Sequence, residues 1–129
     1  MTATNRKYLV VVRAGDRSLH PQWLDTNTRN WDILVSTYAA RPERYIDQYD
    51  FLHCFLGSKW EGLSDVLETH TNLIAKYDYI WFPDDDLLTT GANINKFFQT
   101  TSCLGWAITQ PALTDNSYSS WQITIQDHE

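Results

Sequence analysis

The chain has 129 residues, 43% of them hydrophobic and 20% charged, with a net charge of −6. That is the size of one small domain able to build a core, and its acidic balance argues against the basic face that a nucleic-acid partner needs. Cys54 and Cys103 fit neither a zinc spacing nor a CxxC motif, so they read as two buried thiols in a reducing compartment.

Residues 8–12 (YLVVV) are a short β-branched run bounded by charge, which predicts a buried strand. AGDRS follows as a turn. Ser18 is placed to cap a short helix over 18–26, with Pro21 in its first turn. Residues 31–38 (WDILVSTY) form a second predicted strand, 39–49 a polar irregular stretch, and 51–56 (FLHCFL) a third strand. After Gly57, Ser58 caps a predicted helix over 59–76. Its apolar face repeats through Leu63, Val66, Leu67, His70, Leu73, Ile74 and Tyr77, and His70 reads as a core histidine on that face.

Residues 78–83 are apolar almost throughout and predict a fourth strand, central and covered on both sides. A turn at 89–91 leads to a short helix over 92–100. Strands are predicted at 106–109 and, by alternation, at 121–126. The order β-α-β-β-α-β-α-β predicts an α/β fold with a mostly parallel sheet flanked by helices. No stretch is apolar for long enough to be a signal peptide or a membrane span, so a soluble, cytoplasmic chain is expected.

Ligands of parallel sheets sit beyond the carboxyl ends of the strands, where strand order reverses. Four strand ends gather chemistry there. Arg13, Gly15 and Asp16 follow the first, and Ser36, Thr37 and Tyr38 end the second, with Arg41 and Arg44 beyond. Gly57, Ser58 and Lys59 follow the third, and Asp84, Asp85 and Asp86 the fourth. Three adjacent carboxylates raise one another's pKa unless something neutralises them. A hard divalent cation, Mn²⁺ or Mg²⁺, does so with one or two carboxylates and fills its other positions with water and phosphate. In an extended segment Asp84 and Asp86 point one way and Asp85 the other. Lys59 opposes the dipole of the helix it begins, a conflict that a bound phosphate would relieve. Tyr38 and Trp60 are, as isolated aromatics, more at home in a core than under a base.

The stretches VVRAGDRSLHPQWL (11–24), RNWDILVSTY (29–38), GSKWEGLSDVL (57–67), YDYIWFPDDDL (77–87) and QPALTDNSY (110–118) resemble the domain-of-unknown-function 707 family. A hydrophobic strand ending in Asp-x-Asp resembles the metal motif of nucleotide-sugar-dependent glycosyltransferases of the GT-A fold. The resemblance implies a GT-A-like, Rossmann-like fold. It also implies a nucleoside-diphosphate sugar held through Mn²⁺ or Mg²⁺, with transfer of the sugar to an unknown acceptor. Asp86 would ligate the metal directly, Asp84 would help hold metal or sugar, and Asp85 would bond ribose or sugar hydroxyls. Arg13, Gly15 and Asp16 would line the nucleotide, with Tyr38 and Lys59 nearby.

Members of that family are longer, and their second half holds the acceptor site and any carboxylate base. Residues 1–129 are therefore expected to be a single, C-terminally truncated domain, the donor-binding half, too short to act alone. Asp115, Asp127 and Glu129 are carboxylates with nothing to mark one as the base. The strand at 121–126 would be an exposed edge able to pair with another chain. Two rivals stand beside this reading. One is a non-catalytic metal- or nucleotide-binding fragment that docks a partner. The other is a metal-dependent phosphotransfer enzyme, although the phosphatase pattern DxDxT/V has Leu88 at its last position.

Overall fold

A computed structural model describes residues 5–38 and 48–111. Their core is a four-stranded, all-parallel sheet in the order β3-β2-β1-β4. The strands are β1 (Tyr8–Ala14), β2 (Trp31–Thr37), β3 (Phe51–Cys54) and β4 (Tyr79–Trp81). A 3-10 helix, His20–Leu24, follows β1. Helices α1 (Lys59–Thr69) and α2 (Thr71–Ile74) lie between β3 and β4, and α3 (Gly91–Leu104) follows β4. The fold is α/β.

Alternation along β1 and β2 sends side chains to two separate cores. Val10, Val12, Ala14, Trp31, Ile33 and Val35 pack with Trp23 of the 3-10 helix and with Ile94 and Phe98 of α3. Leu9, Val11 and Leu34 pack on the other face, under Leu63 and Val66 of α1. Each Val, Leu, Ile or Phe among them, fully buried, contributes roughly 1.5–3 kcal/mol. Burial on both faces is why β1 reads as an apolar run over residues 8–12 and β2 over residues 33–35.

Several elements differ from what the sequence predicts. The helix over 59–76 breaks at His70, which caps α1 with φ −118°. Thr69 and Thr71 donate their hydroxyls to the carbonyls of Asp65 and Leu67, four residues back. Such side-chain bonds compete with the helical ladder and bend it. The segment over 18–26 is a 3-10 turn of five residues, and at its start the Ser18 hydroxyl accepts from His20 N at 3.3 Å.

Strand β4 is shorter and less central than its apolar sequence suggests. It pairs with β1 over three residues, lies at one end of the described sheet and is only half-buried. Helix α3 runs past 100 to Gly105, whose φ of +66° ends it in the left-handed form glycine favours. Residues 106–109 are not a strand. Cys54 and Cys103 are both exposed rather than buried, and so are Tyr38 and Trp60. Residues 39–47 with Arg41 and Arg44, the strand at 121–126, and Asp115, Asp127 and Glu129 lie outside the described residues.

Candidate functional site

The strand order 3-2-1-4 reverses direction between β1 and β4, so their carboxyl ends flank the crevice where a parallel sheet binds ligands. The acidic segment 84–86 leaves β4 at that point. Three hydrogen bonds stitch residues 85–87 to the chain leaving β1. Gly15 N donates to Asp85 Oδ2 at 2.9 Å, Leu19 N to Asp85 O at 2.7 Å, and Trp23 Nε1 to Leu87 O at 2.9 Å. Asp85 is thus turned inward as a clamp between two strand ends. Asp84 and Asp86 are exposed and together line a cavity of about 670 Å³ between β4 and α3, with Tyr79, Trp81, Phe82 and Phe97 among its walls.

Asp84 pairs with the Lys59 ammonium, which also lies 5.2 Å from the centre of the Trp60 ring. The Ser58 hydroxyl caps α1 by accepting from Glu61 N at 3.2 Å. The sheet's carboxyl edge therefore already has one cation seated on an acidic side chain.

Arg13 is placed differently. It is buried, and Nη1 donates to Ser36 Oγ at 3.1 Å while Nη2 donates to the carbonyls of Phe55 (2.5 Å) and Gly57 (2.9 Å). Tyr38 covers its guanidinium at 4.9 Å. Burial pulls its pKa down from the usual arginine range, and the Tyr38 oxygen opposes that pull. Gly62 makes room for it, since a Cβ there would lie 2.5 Å from Arg13 Nε. Gly15 does the same for Tyr38, whose hydroxyl oxygen would lie 2.6 Å from an added Cβ. Asp16 is exposed on the turn beyond.

The structure thus brings Gly15 and Asp85 into contact, joins Lys59 to Asp84, and groups Arg13 with Tyr38. It also shows a largely buried set of which only Ser36 stood out in the sequence as part of a site. Ser36 Oγ lies 2.7 Å from His53 Nδ1, and His53 Nε2 lies 2.6 Å from Asp65 Oδ2. The available signal was a polar residue inside FLHCF: a buried imidazole needs partners.

The donor set suits a hard cation in kind, being carboxylate oxygen with an ammonium already standing beside it. Among the described residues no three His, Cys, Asp or Glu side chains converge as a complete metal cage. Any ion held by Asp84 and Asp86 would take its remaining ligands from water or phosphate, as Mg²⁺ commonly does. No helix among the described residues is long and apolar enough to cross a membrane.

Fold and strand ends together define a parallel α/β protein with an acidic loop at its topological switch point. Residues 59–129, more than half the chain, match the model of a family described as protein of unknown function (DUF707), and the chain belongs to that family. The matched segment includes Lys59 and Asp84–86 but not the first three strands. No curated protein and no solved structure matches the chain.

Proposed function

We propose that this chain binds a nucleoside-diphosphate sugar through Mn²⁺ or Mg²⁺, as the donor-binding part of a GT-A-like glycosyltransferase whose acceptor is unknown. The observation that supports it best is the division of labour within the acidic loop. Asp85 faces inward and fixes the loop to β1, and Asp84 and Asp86 line a cavity between β4 and α3. A merely solvated acidic turn would need neither the clamp nor the cavity.

In this reading Asp86 and Asp84 hold the ion. The ion, when bound, would neutralise the diphosphate leaving group. Lys59, paired with Asp84, would be placed to meet a phosphate near the start of α1 if the ion were held by the two carboxylates. Tyr38 offers an exposed ring beside Gly15 and Asp16 for the nucleoside. Arg13 acts from beneath, by holding the 55–57 turn, because its two terminal nitrogens are engaged inside the chain.

The test is thermal unfolding with Mn²⁺ and a series of nucleoside diphosphates. A ligand at about one hundred times its Kd would stabilise the fold by about 2.7 kcal/mol. Asp86→Ala should lose that gain. If no nucleoside diphosphate raises the unfolding temperature with Mn²⁺ present, the reading falls.

A further inference from the structure

We propose that the outward face of α1, with the turn that leads into it, docks an arginine-bearing basic segment of a partner protein. This goes beyond donor binding and stands whether or not a nucleotide binds.

Helix geometry lays the face out. Leu63 and Val66 are buried against the sheet, so the far side of α1 looks outward. On that side Trp60, Ser64 and Leu67 stand at i, i+4 and i+7, which puts them in one row. Glu61, Asp65 and Glu68 repeat the spacing one residue on and form a second row beside the first. The first row is apolar at both ends: Trp60 is 72% exposed and Leu67 45%. Leu56, in the turn ahead of the helix, is 84% exposed. Single exposed apolar side chains are ordinary. Here two rings and the acidic row share one open hollow of about 430 Å³, lined by Phe55, Trp60, Glu61, Ser64, Asp65 and Glu68. Contiguous apolar surface rimmed by polar groups marks an interaction site.

Charge selects the occupant. Helix α1 carries three carboxylates and one cation, and that cation, Lys59, is already paired with Asp84. Glu61 and Asp65 are four residues apart and Asp65 and Glu68 three, spacings at which like charges repel. Glu61 suits the first turn of the helix. Glu68 lies in the last turn, where a negative charge opposes the helix dipole and no base offsets it. A cation from outside would relieve both conflicts. Asp65 is partly engaged, its Oδ2 lying 2.6 Å from His53 Nε2, so Glu61 and Glu68 are the principal acceptors.

The rings select the kind of cation. Lys59 Nζ lies 5.2 Å from the centre of the Trp60 ring, and Arg13 Cζ lies 5.8 Å from that of Phe55. Each ring thus already takes a cation at one face. A guanidinium is flat, stacks on aromatic faces and forks toward carboxylates, which a compact ammonium does not do at once. An arginine laid in the hollow beside Phe55 and Trp60 would meet the acidic row with its donors. Apolar neighbours in the same segment would cover Leu56 and Leu67.

The probe is a short synthetic peptide of alternating arginine and leucine. It is added to the isotope-labelled full chain without metal or nucleotide and followed by amide NMR. Shifts should centre on residues 55–68, and a peptide with glutamate in place of arginine should cause none. Trp60→Ala should weaken binding by roughly tenfold or more, the scale of an aromatic anchor. Glu61→Gln combined with Glu68→Gln should weaken it several-fold and flatten its salt dependence. These three positions are exposed, so the substitutions should leave the unfolding midpoint in place and lost binding is not lost folding. Asp86→Ala, which tests the donor reading, should leave peptide binding intact. No binding of the arginine peptide, shifts centred on residues 84–86, or wild-type affinity in Trp60→Ala overturns the proposal. So does a wild-type dimer that Trp60→Ala dissociates, which assigns the face to a second copy of this chain.

Discussion

The two ends of the sheet's carboxyl edge use charge in opposite ways. At the β1–β2–β3 end a cation, Arg13, is buried and both its terminal nitrogens are engaged by the chain itself. At the β4 end two carboxylates, Asp84 and Asp86, are presented outward and only Asp85 is turned to structural use. Both ends looked alike in sequence, as charged residues just past a strand. What separates them is the cover: α1 lies over the first end and leaves a glycine-sized gap for the arginine, whereas the acidic loop stands at the mouth of a cavity. Charge under cover builds the protein, and charge at an opening is available to a ligand.

If that contrast is right, the largest effect comes from removing the buried cation. Arg13→Met strands two carbonyls and a buried hydroxyl, and should cost roughly 3–5 kcal/mol by urea denaturation, enough to threaten folding. A loss below about 1 kcal/mol, the scale of ordinary surface changes, would erase the distinction between the two ends.

Acid should come next. His20 is completely buried in the 3-10 helix under the acidic loop, with Nδ1 2.6 Å from Ser18 Oγ. Burial lowers its pKa from 6.5 to about 4, and a hydrogen bond with the Gln48 backbone pulls the other way. The folded-state value is the depressed one, so the unfolded chain binds the extra proton first. The stability is fully present above pH 6.5 and is lost as pH falls toward 4, by at most about 3 kcal/mol. Denaturation midpoints measured against pH should fall through that window, and His20→Gln should flatten the curve.

Gly62→Ala tests the gap itself. Its Cβ would meet Arg13 Nε at 2.5 Å, an overpacking that should cost roughly 1–3 kcal/mol. Gly15→Ala meets the far end of the Tyr38 side chain at a similar distance, but that ring is exposed and free to swing, so the cost should be smaller and Tyr38→Ala should recover it. Equal losses at the two glycines would mean that the space over Arg13 is no tighter than that beside Tyr38.

How much of this was readable follows the same line of cover. The four described strands, the parallel order and the start of α1 at Ser58 were legible because apolar runs and a cap are local signals. The inward turn of Asp85 does not come from the alternation of an extended segment, because Asp85 and Asp86 lie in a turn beyond the end of β4. The burial of Arg13 was not legible, since it depends on Gly62 lying above it, 49 positions later in the numbering. The Ser36–His53–Asp65 row depends on a strand register that no local pattern encodes. The break at His70 and the extension of α3 to Gly105 were missed for a smaller reason: hydroxyl back-bonding by Thr69 and Thr71, and a glycine stop read past.

The smallest effect on stability should come from the residue with the largest proposed role. Asp86 is exposed, and Asp86→Ala should change unfolding free energy by no more than about 0.5 kcal/mol. Asp84→Ala also breaks the pair with Lys59, but that pair is exposed on both sides, and such pairs are worth about 0–1 kcal/mol. Asp85→Ala differs from both, because it removes the acceptor of the Gly15 amide and loosens the loop from β1; it should cost roughly 1–2 kcal/mol. The three neighbouring alanine variants thus separate two properties. Stability should fall most at Asp85, and stabilisation by Mn²⁺ with a nucleoside diphosphate should vanish first at Asp86. If all three lose stability equally, the loop is structural throughout, and the reading of its outer carboxylates as a metal site loses its support.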